Sequence, residues 1–263
     1  MNISVIGAGY VGLITGIGFA KLNHQVSIVD LNDDLIKNLN ENRPPFYEPE
    51  LVDYLNDSNI RNNLFFSTSY QKSINENTDI VFVCVQTPTD PDTGKTKTDY
   101  ISSVLTELKK IESFNFIICI KSTIKATLVE KISNEIDLDY KKIIFNPEFL
   151  REGSAFYDFF NPDRIVIGGS DQKGLNQCTE LYESFDCEKI ITDSNSSQMI
   201  KYLSNTYLAM RLSFVNETYR LVSEFNGNPE EVLNAIGKDK RIGNDYFRPS
   251  PGWGGSCFPK DVK

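Results

Sequence analysis

The sequence predicts an α/β fold built on a doubly wound, mostly parallel β-sheet, followed by a helical region with one long helix. Three observations predict it: a glycine-rich turn joins the first strand to the first helix, short apolar runs alternate with helical patterns, and after Thr192 the pattern becomes continuously helical. We therefore predict a first domain over residues 1–194 and a helical domain over residues 195–263.

The composition is that of a globular protein without a nucleic-acid or membrane partner. Of 263 residues, 40% are hydrophobic and 24% are charged, and the formal net charge is −9. Scattered lysines on so acidic a chain do not supply the concentrated positive charge that binds a phosphate backbone. No apolar run reaches the roughly 20 residues that cross a bilayer, and no signal-like segment opens the chain. We expect a cytoplasmic protein.

Cysteine and histidine usage narrows the chemistry. The five cysteines are odd in number and form no CxxC pair, so neither a disulfide framework nor a metal site is predicted. Cys84 and Cys119 lie in apolar runs, where free cysteine behaves as a small hydrophobe. His24 is the only histidine and lies in a predicted turn, which disfavours a Ser-His-Asp hydrolase and a histidine-dependent dehydrogenase.

The first strand, residues 2–6, leads into a glycine motif and a helix, and a second strand follows over residues 25–30. Gly7 permits a tight turn, Gly9 lets a pyrophosphate approach the helix N-terminus, and Gly12 allows close packing. Asp30 ends the second strand, where it would accept hydrogen bonds from the adenosine ribose. This order predicts a Rossmann-like domain that binds NAD rather than NADP; a glycine turn without a cofactor is the alternative.

Further strands alternate with helices and complete the sheet. They are predicted at residues 79–85, 115–121, 142–146, 165–168 and 189–192. The Pro-rich segment 43–49 interrupts this alternation and predicts an ordered loop before a short helix.

Ligands of parallel sheets bind beyond the carboxyl ends of the strands, so the residues that follow each strand are candidate site residues. Here these are Thr87–Thr89, Ser122–Thr123 and Asn146–Gly153. Each segment alone is also compatible with a helix cap or a turn. Their shared position at one sheet edge is what favours a site.

The long helix is predicted over residues 195–226, closed by Gly227, and a shorter helix over residues 229–236. A packing stripe is expected from Met199, Leu203, Leu208, Leu212 and Val215. Lys201 and Asn205 are four residues apart and project from one face, either toward a site or toward solvent.

The stretch Pro251–Asp261 ends the helical region and contains Cys257 among small residues, with Lys260 and Asp261 nearby. By itself this pattern is compatible with a nucleophilic thiol or with a buried small side chain. The residues upstream are needed to decide between them.

Four separated motifs resemble the UDP-glucose/GDP-mannose dehydrogenase family, in the right order and from the first residue to the last. They are Gly7-Ala8-Gly9-Tyr10-Val11-Gly12-Leu13, Asn146-Pro147-Glu148-Phe149-Leu150-Arg151-Glu152-Gly153, Met199-Ile200-Lys201-Tyr202 with Asn205, and Gly254-Gly255-Ser256-Cys257-Phe258-Pro259-Lys260-Asp261. One departure is Ile124-Lys125-Ala126-Thr127, where the family usually has proline and glycine, so we expect an altered turn after Thr123.

The resemblance implies NAD-dependent, four-electron oxidation of the C6 alcohol of a sugar nucleotide to a carboxylate. By similarity, Cys257 captures the aldehyde and carries it through a thioester. The resemblance implies that Lys201 and Asn205 stabilise the alkoxide and that Asp261 is the catalytic acid. It also implies that Glu148 is the base of thioester hydrolysis and that Thr123 positions the water.

The resemblance also implies two sets of binding residues. NAD is expected to contact the glycine motif with Gly7, Gly9, Val11 and Gly12, and also Asp30, Thr87, Thr123, Glu152 and Lys260. The sugar nucleotide is expected to contact Glu148, Phe149, Leu150, Arg151, Glu152, Lys201, Asn205, Tyr246, Phe247, Arg248, Pro249, Ser250 and Gly254.

Segment 161–168 is more similar to the UDP-glucose branch of the family than to the GDP-mannose branch. UDP-glucose is therefore the expected substrate, and GDP-mannose or another nucleotide sugar is the alternative. Family members continue through the rest of a helical dimerisation domain and a nucleotide-sugar-binding domain. We therefore expect an N-terminal portion that is inactive alone, and a homodimer at full length. The alternative of another class is a non-catalytic NAD-binding protein.

Overall fold

The computed structural model describes residues 1–111, 115–255 and 258–262, and the chain divides into two compact units, Met1–Met199 and Ile200–Lys263. Its strands are β1 (Asn2–Ile6), β2 (Gln25–Val29), β3 (Leu64–Ser67), β4 (Ile80–Val83), β5 (Ile117–Ile120), β6 (Ile143–Phe145), β7 (Arg164–Gly168) and β8 (Glu188–Thr192). Its helices are α1 (Tyr10–Lys21), α2 (Asp33–Asn40), α3 (Leu51–Asn56), α4 (Ser58–Arg61), α5 (Tyr70–Ser73), α6 (Asp99–Lys110), α7 (Ala126–Glu135), α8 (Ala155–Phe160), α9 (Gln172–Leu181), α10 (Ser194–Glu224), α11 (Pro229–Gly237) and α12 (Phe258–Asp261).

The eight strands form one sheet in the order β3-β2-β1-β4-β5-β6-β7-β8. Every pairing is parallel except that between β6 and β7. The direction of strand progression reverses between β1 and β4, which is the switch point where a doubly wound fold binds its ligand. The predicted α/β class is confirmed.

Alternating strand residues feed two cores, one on each face of the sheet. On β4, Ile80 and Phe82 belong to the core that includes α1, α8 and α9, whereas Val81 and Val83 belong to the core that includes α6 and α7. The strands are apolar on both faces because helices cover both. This double cover leaves the carboxyl edge of the sheet as the place where polar side chains collect.

One strand was missing from the prediction. Strand β3 has only four residues and pairs with β2 alone, at the edge of the sheet. Phe65 on this strand is exposed. The predicted loop at residues 43–49 does lead into a short helix, α3.

Helix α10 carries apolar residues on two opposite faces. Met199 and Leu203, which the sequence assigns to the packing stripe, are exposed, whereas Val215 is fully buried. The structure corrects the prediction here, because Leu208 follows Leu203 by five residues, a rotation of roughly 140° at 3.6 residues per turn, so the proposed stripe joined parts of both faces.

The end of α10 also differs from the prediction. Asn226, and not Gly227, takes the left-handed conformation, with φ of 57°. The amide of Gly227 donates to the carbonyl of Val222 at 2.9 Å, and the amide of Asn226 donates to that of Ser223 at 3.0 Å. Asparagine tolerates this conformation, so the terminating motif forms one residue earlier. No helix in the described part of the chain is both long and apolar enough to cross a membrane.

Candidate cofactor and catalytic sites

The three motif glycines have different surroundings. A Cβ on Gly12 would lie 1.8 Å from the carbonyl oxygen of Gly7, so only glycine lets α1 approach the turn. Gly7 has φ of 101°, and a Cβ there would lie 2.8 Å from the carbonyl oxygen of Cys84. A Cβ on Gly9 would meet no atom within 4 Å, so this glycine borders open space. The first turn that follows contains no acidic residue, and no side chain caps it. The space fits a pyrophosphate at the helix N-terminus.

Asp30 follows β2 at the same edge of the sheet. Its Oδ2 accepts a hydrogen bond from the amide of Ala8 at 2.8 Å, and its Oδ1 accepts one from the amide of Asn32 at 3.0 Å. Each carboxylate oxygen has further acceptor capacity. The glycine turn therefore orients the acid that the sequence assigns to the ribose hydroxyls.

The ends of β4 and β5 are joined through two predicted site residues. The hydroxyl of Thr87 donates to the carbonyl oxygen of Thr123 at 2.8 Å, and that of Ser122 donates to the carbonyl oxygen of Val85 at 2.6 Å. None of residues 122–127, all of them described, has a positive φ. The turn after Thr123 therefore needs no glycine in this chain.

The segment after β6 holds a buried acid. Glu148 is 8% exposed, and its Oε2 accepts a hydrogen bond from the amide of Leu150 at 2.7 Å. Arg151 pairs with Asp158 at 2.6 Å. The structure thus brings Glu148 to the same sheet edge as Thr123, as the strand order predicts.

A buried polar network below this edge was not predicted. The ammonium group of Lys121 donates to Oδ1 of Asn146 at 2.9 Å, and the hydroxyl of Tyr182 donates to the same oxygen at 2.6 Å. Burial lowers the pKa of Lys121. Burial also raises the pKa of Cys84 to about 12, so this thiol stays protonated at neutral pH, as expected of a small hydrophobe. The sequence showed only a lysine at a strand end, with no signal for its partners.

In the second unit, three predicted catalytic or binding side chains meet. The amide nitrogen of Asn205 donates to Oδ2 of Asp261 at 2.6 Å, and the ammonium group of Lys260 donates to Oδ1 at 2.5 Å. Lys201 lies one helical turn before Asn205 on α10, and both are buried. Burial, with a smaller effect of Asp261, raises the pKa of Tyr202 to about 12. An acid held by an amide and an ammonium group can direct a proton or a water molecule.

The loop predicted to line the sugar pocket is held by α10. Phe247 packs with Val215 and Leu233 in the small core of the second unit, so its side chain is buried. The amide of Ser250 donates to Oδ1 of Asn216 at 2.8 Å. Other predicted members of the pocket, Arg248, Pro249 and Gly254, are exposed. Cys257, the predicted nucleophile, lies outside the described residues.

Two family models match the chain in succession. The NAD binding domain of the UDP-glucose/GDP-mannose dehydrogenase family matches residues 1–186, and the central domain of that family matches residues 195–263. The chain is 37% identical over 270 aligned residues to the UDP-glucose 6-dehydrogenase YwqF of Bacillus subtilis, covering 100% of this chain and 60% of the relative. A UDP-glucose 6-dehydrogenase of Rickettsia felis is 36% identical, and the alignment covers 100% of this chain and 59% of that relative.

Solved structures agree with these matches. A UDP-glucose dehydrogenase of Pyrobaculum islandicum superposes with a TM-score of 0.90 at 36% identity, over 98% of this chain and 61% of that one. A GDP-mannose dehydrogenase of Pseudomonas aeruginosa superposes with a TM-score of 0.86 at 29% identity, over 100% of this chain and 63% of that one. The chain therefore spans about 60% of the length of these UDP-glucose and GDP-mannose dehydrogenases.

Proposed function

The chain belongs to the UDP-glucose/GDP-mannose dehydrogenase family, and on that basis we propose that it forms the NAD-binding and nucleophile-bearing part of a UDP-glucose 6-dehydrogenase. One observation carries the proposal. The NAD-binding match is followed directly by the central-domain match, in a chain 37% identical throughout to a UDP-glucose 6-dehydrogenase.

The proposed reaction converts the C6 alcohol of UDP-glucose to the carboxylate of UDP-glucuronate. NAD, when bound, supplies the hydride acceptor for both oxidations. The alcohol loses a hydride and a proton to become an aldehyde, and the Cys257 thiolate adds to the aldehyde carbon. Loss of a second hydride leaves a thioester, and water then displaces the thiol to release the acid. Covalent capture keeps the reactive aldehyde on the enzyme between the two oxidations.

Unit 1 would hold the cofactor and the base. The open space at Gly9 would receive the pyrophosphate and Asp30 the ribose hydroxyls. Val11, Thr87, Thr123 and Glu152 are further proposed NAD contacts in this unit, and Lys260 is one in unit 2. Glu148, oriented by the amide of Leu150, would take the proton from the hydrolytic water.

Unit 2 would stabilise charge and supply protons. Lys201 and Asn205 would face the developing alkoxide, which a cation and an amide donor stabilise. The contacts of Asp261 with Asn205 and Lys260 support its role as the acid that works with a water molecule. A lysine near Cys257 would favour the thiolate, the reactive form of the thiol.

The exposed face of α10 supports a homodimer. Leu203, Tyr207, Met210, Phe214 and Leu221 are all exposed and recur every three, four or seven residues. We propose that a second copy of this chain covers them.

The decisive experiment uses the protein that carries this chain at its natural length. It is expected to form two NADH per UDP-glucose and to release UDP-glucuronate. Cys257→Ser is expected to abolish acid formation while NAD still binds. Undiminished acid formation by this variant would exclude the cysteine mechanism, whereas an inactive natural-length protein that binds NAD would support the non-catalytic alternative.

Two further measurements define the scope of the proposal. A panel containing GDP-mannose tests the substrate, because the GDP-mannose dehydrogenase of Pseudomonas aeruginosa shares the fold. Residues 1–263 expressed alone are expected to bind NAD without oxidising UDP-glucose; measurable turnover would contradict this.

A further inference from the structure

A buried carboxylate that the proposed reaction does not use joins two parts of unit 1. Glu48, in the loop between α2 and α3, is 3% exposed. Its Oε1 accepts a hydrogen bond from the amide of Ala155 at 2.8 Å, and its Oε2 accepts one from the amide of Gly153 at 2.9 Å. Ala155 is the first residue of α8, whose N-cap Ser154 makes no side-chain capping bond. Glu48 thus caps this helix from a distant loop.

The same carboxylate binds the start of α1. Tyr10, inside the glycine motif, donates its hydroxyl to Oε2 of Glu48 at 2.9 Å, and this hydroxyl lies 3.1 Å from the carbonyl oxygen of Arg151. Burial, followed by the hydrogen bond to Glu48, raises the pKa of Tyr10. The phenol therefore keeps its proton and remains a donor at every physiological pH. Its ring packs against Phe46 with centroids 5.1 Å apart.

The segment held in this way carries the proposed contacts. Glu152 lies between Arg151 and Gly153, two residues that contact Tyr10 or Glu48. The negative charges of Glu152 and Glu148 each contribute to raising the pKa of Tyr10. Gly153 has φ of 87°, so the turn depends on a glycine and on external hydrogen bonds for its shape.

We propose that Tyr10 and Glu48 are positioning residues for the dinucleotide site. Together they fix the turn that carries Glu152 against the N-terminus of α1, where the glycine motif would receive the pyrophosphate. The inference rests on the proposed function only in its use of NAD as the ligand. It assigns no chemical step to either residue.

The test compares Tyr10→Phe, Glu48→Gln and the double variant with wild type. NAD affinity is measured by calorimetry, and amide exchange of a peptide covering residues 149–157 is measured without NAD. Loss of one such hydrogen bond is expected to weaken NAD binding by roughly threefold to tenfold and to speed exchange in the turn. Because the two residues act as a pair, the double variant is expected to bind about as weakly as the weaker single variant.

Tyr54→Phe is the matched control. Tyr54 also donates its hydroxyl to a glutamate beside the same loop, Glu50, at 3.0 Å, but this hydrogen bond is exposed and does not involve the 151–155 turn. Tyr54→Phe keeps the half-buried ring and its contact with Phe156. Its removal is expected to leave NAD affinity and exchange unchanged. In the natural-length enzyme, Tyr10→Phe is expected to raise the KM for NAD, with little change in the KM for UDP-glucose.

Wild-type affinity and exchange in Tyr10→Phe would overturn the inference, even if the melting temperature fell. Tyr10→Phe keeps the ring and its contact with Phe46, so it carries the test if Glu48→Gln does not fold. A wild-type protein that binds NAD but forms no acid would refute the proposed oxidation. The NAD affinity and amide exchange of the variants would still test the roles of Tyr10 and Glu48. Different measurements therefore refute the proposed oxidation and the proposed positioning role.

Discussion

At the scale of single residues, Gly9 and Gly12 differ in what an added methyl group would meet. Gly9→Ala places the methyl in open space, and its φ of −75° suits alanine, so the fold is expected to persist. The methyl would occupy the room proposed for the pyrophosphate, and NAD affinity should fall by on the order of tenfold or more. Calorimetry and thermal unfolding of the same sample measure both effects.

In contrast to Gly9→Ala, Gly12→Ala is expected to lower the stability of the fold. Its methyl would overlap the carbonyl oxygen of Gly7, so α1 must shift away from the turn. A cost of about 1–3 kcal/mol in the free energy of unfolding is expected for such overpacking. If both variants lost stability equally, or if Gly9→Ala kept full NAD affinity, the separate roles of the two glycines would be wrong.

Residue spacing along the chain explains which of these contacts the sequence could predict. Gly7, Gly12 and Asp30 follow from a motif whose spacing is local. Glu48 does not, because its partner Ala155 is 107 positions away and the local sequence pattern contains no information about this contact. Asn205 and Asp261, 56 positions apart, were associated only through family resemblance.

At the scale of elements, the Lys121 network joins the ends of β5, β6 and α9. Lys121 is 6% exposed, and burial lowers its pKa from the ordinary value of 10.5. Between the lowered pKa and 10.5 the unfolded chain binds more protons than the folded one, so this lysine makes stability rise with pH. Below the lowered pKa the lysine is charged in both states and the full burial penalty applies.

The effect of Lys121→Met on the free energy of unfolding is therefore expected to depend on pH. The stability of wild type relative to this variant should increase as pH rises toward 10.5. Deprotonation of Lys121 removes the cost of burying its charge, whereas methionine carries no charge at any pH. Urea unfolding of both proteins at several alkaline pH values measures the difference. Lys131→Met, at an exposed lysine of α7, is the control and should show no such trend. A constant difference would mean that the pKa of Lys121 is the same in the folded and the unfolded chain.

Elements were predicted best where local pattern and tertiary role coincide. The strands of the sheet interior are apolar on both faces and easily recognised, whereas β3 lies at the edge of the sheet, pairs with β2 alone and exposes Phe65. Helix α10 was placed almost correctly, but its faces were mixed because both of them carry apolar side chains. Which apolar face is buried depends on neighbours, and sequence periodicity does not contain that information.

At the scale of the whole molecule, the exposed apolar face of α10 is the surface that we propose for the homodimer. The side chains from Leu203 to Leu221 that form it extend over roughly 27 Å of helix, since each residue adds about 1.5 Å. At intervals of three and four residues they follow the seam along which two helices pack. Apolar stripes of this length are rarely left in water, and in proteins they commonly mark an interface.

A change of charge on this face tests the proposed homodimer. Met210→Glu combined with Phe214→Glu places two carboxylates in the middle of the stripe, where a second helix would have to desolvate them. The natural-length wild type is expected to sediment as a dimer at micromolar concentration and the double variant as a monomer. Ser223→Glu, an exposed position of α10 outside the stripe, should remain dimeric. A wild type that is monomeric, or a double variant that still dimerises, would show that another surface or another partner covers this face.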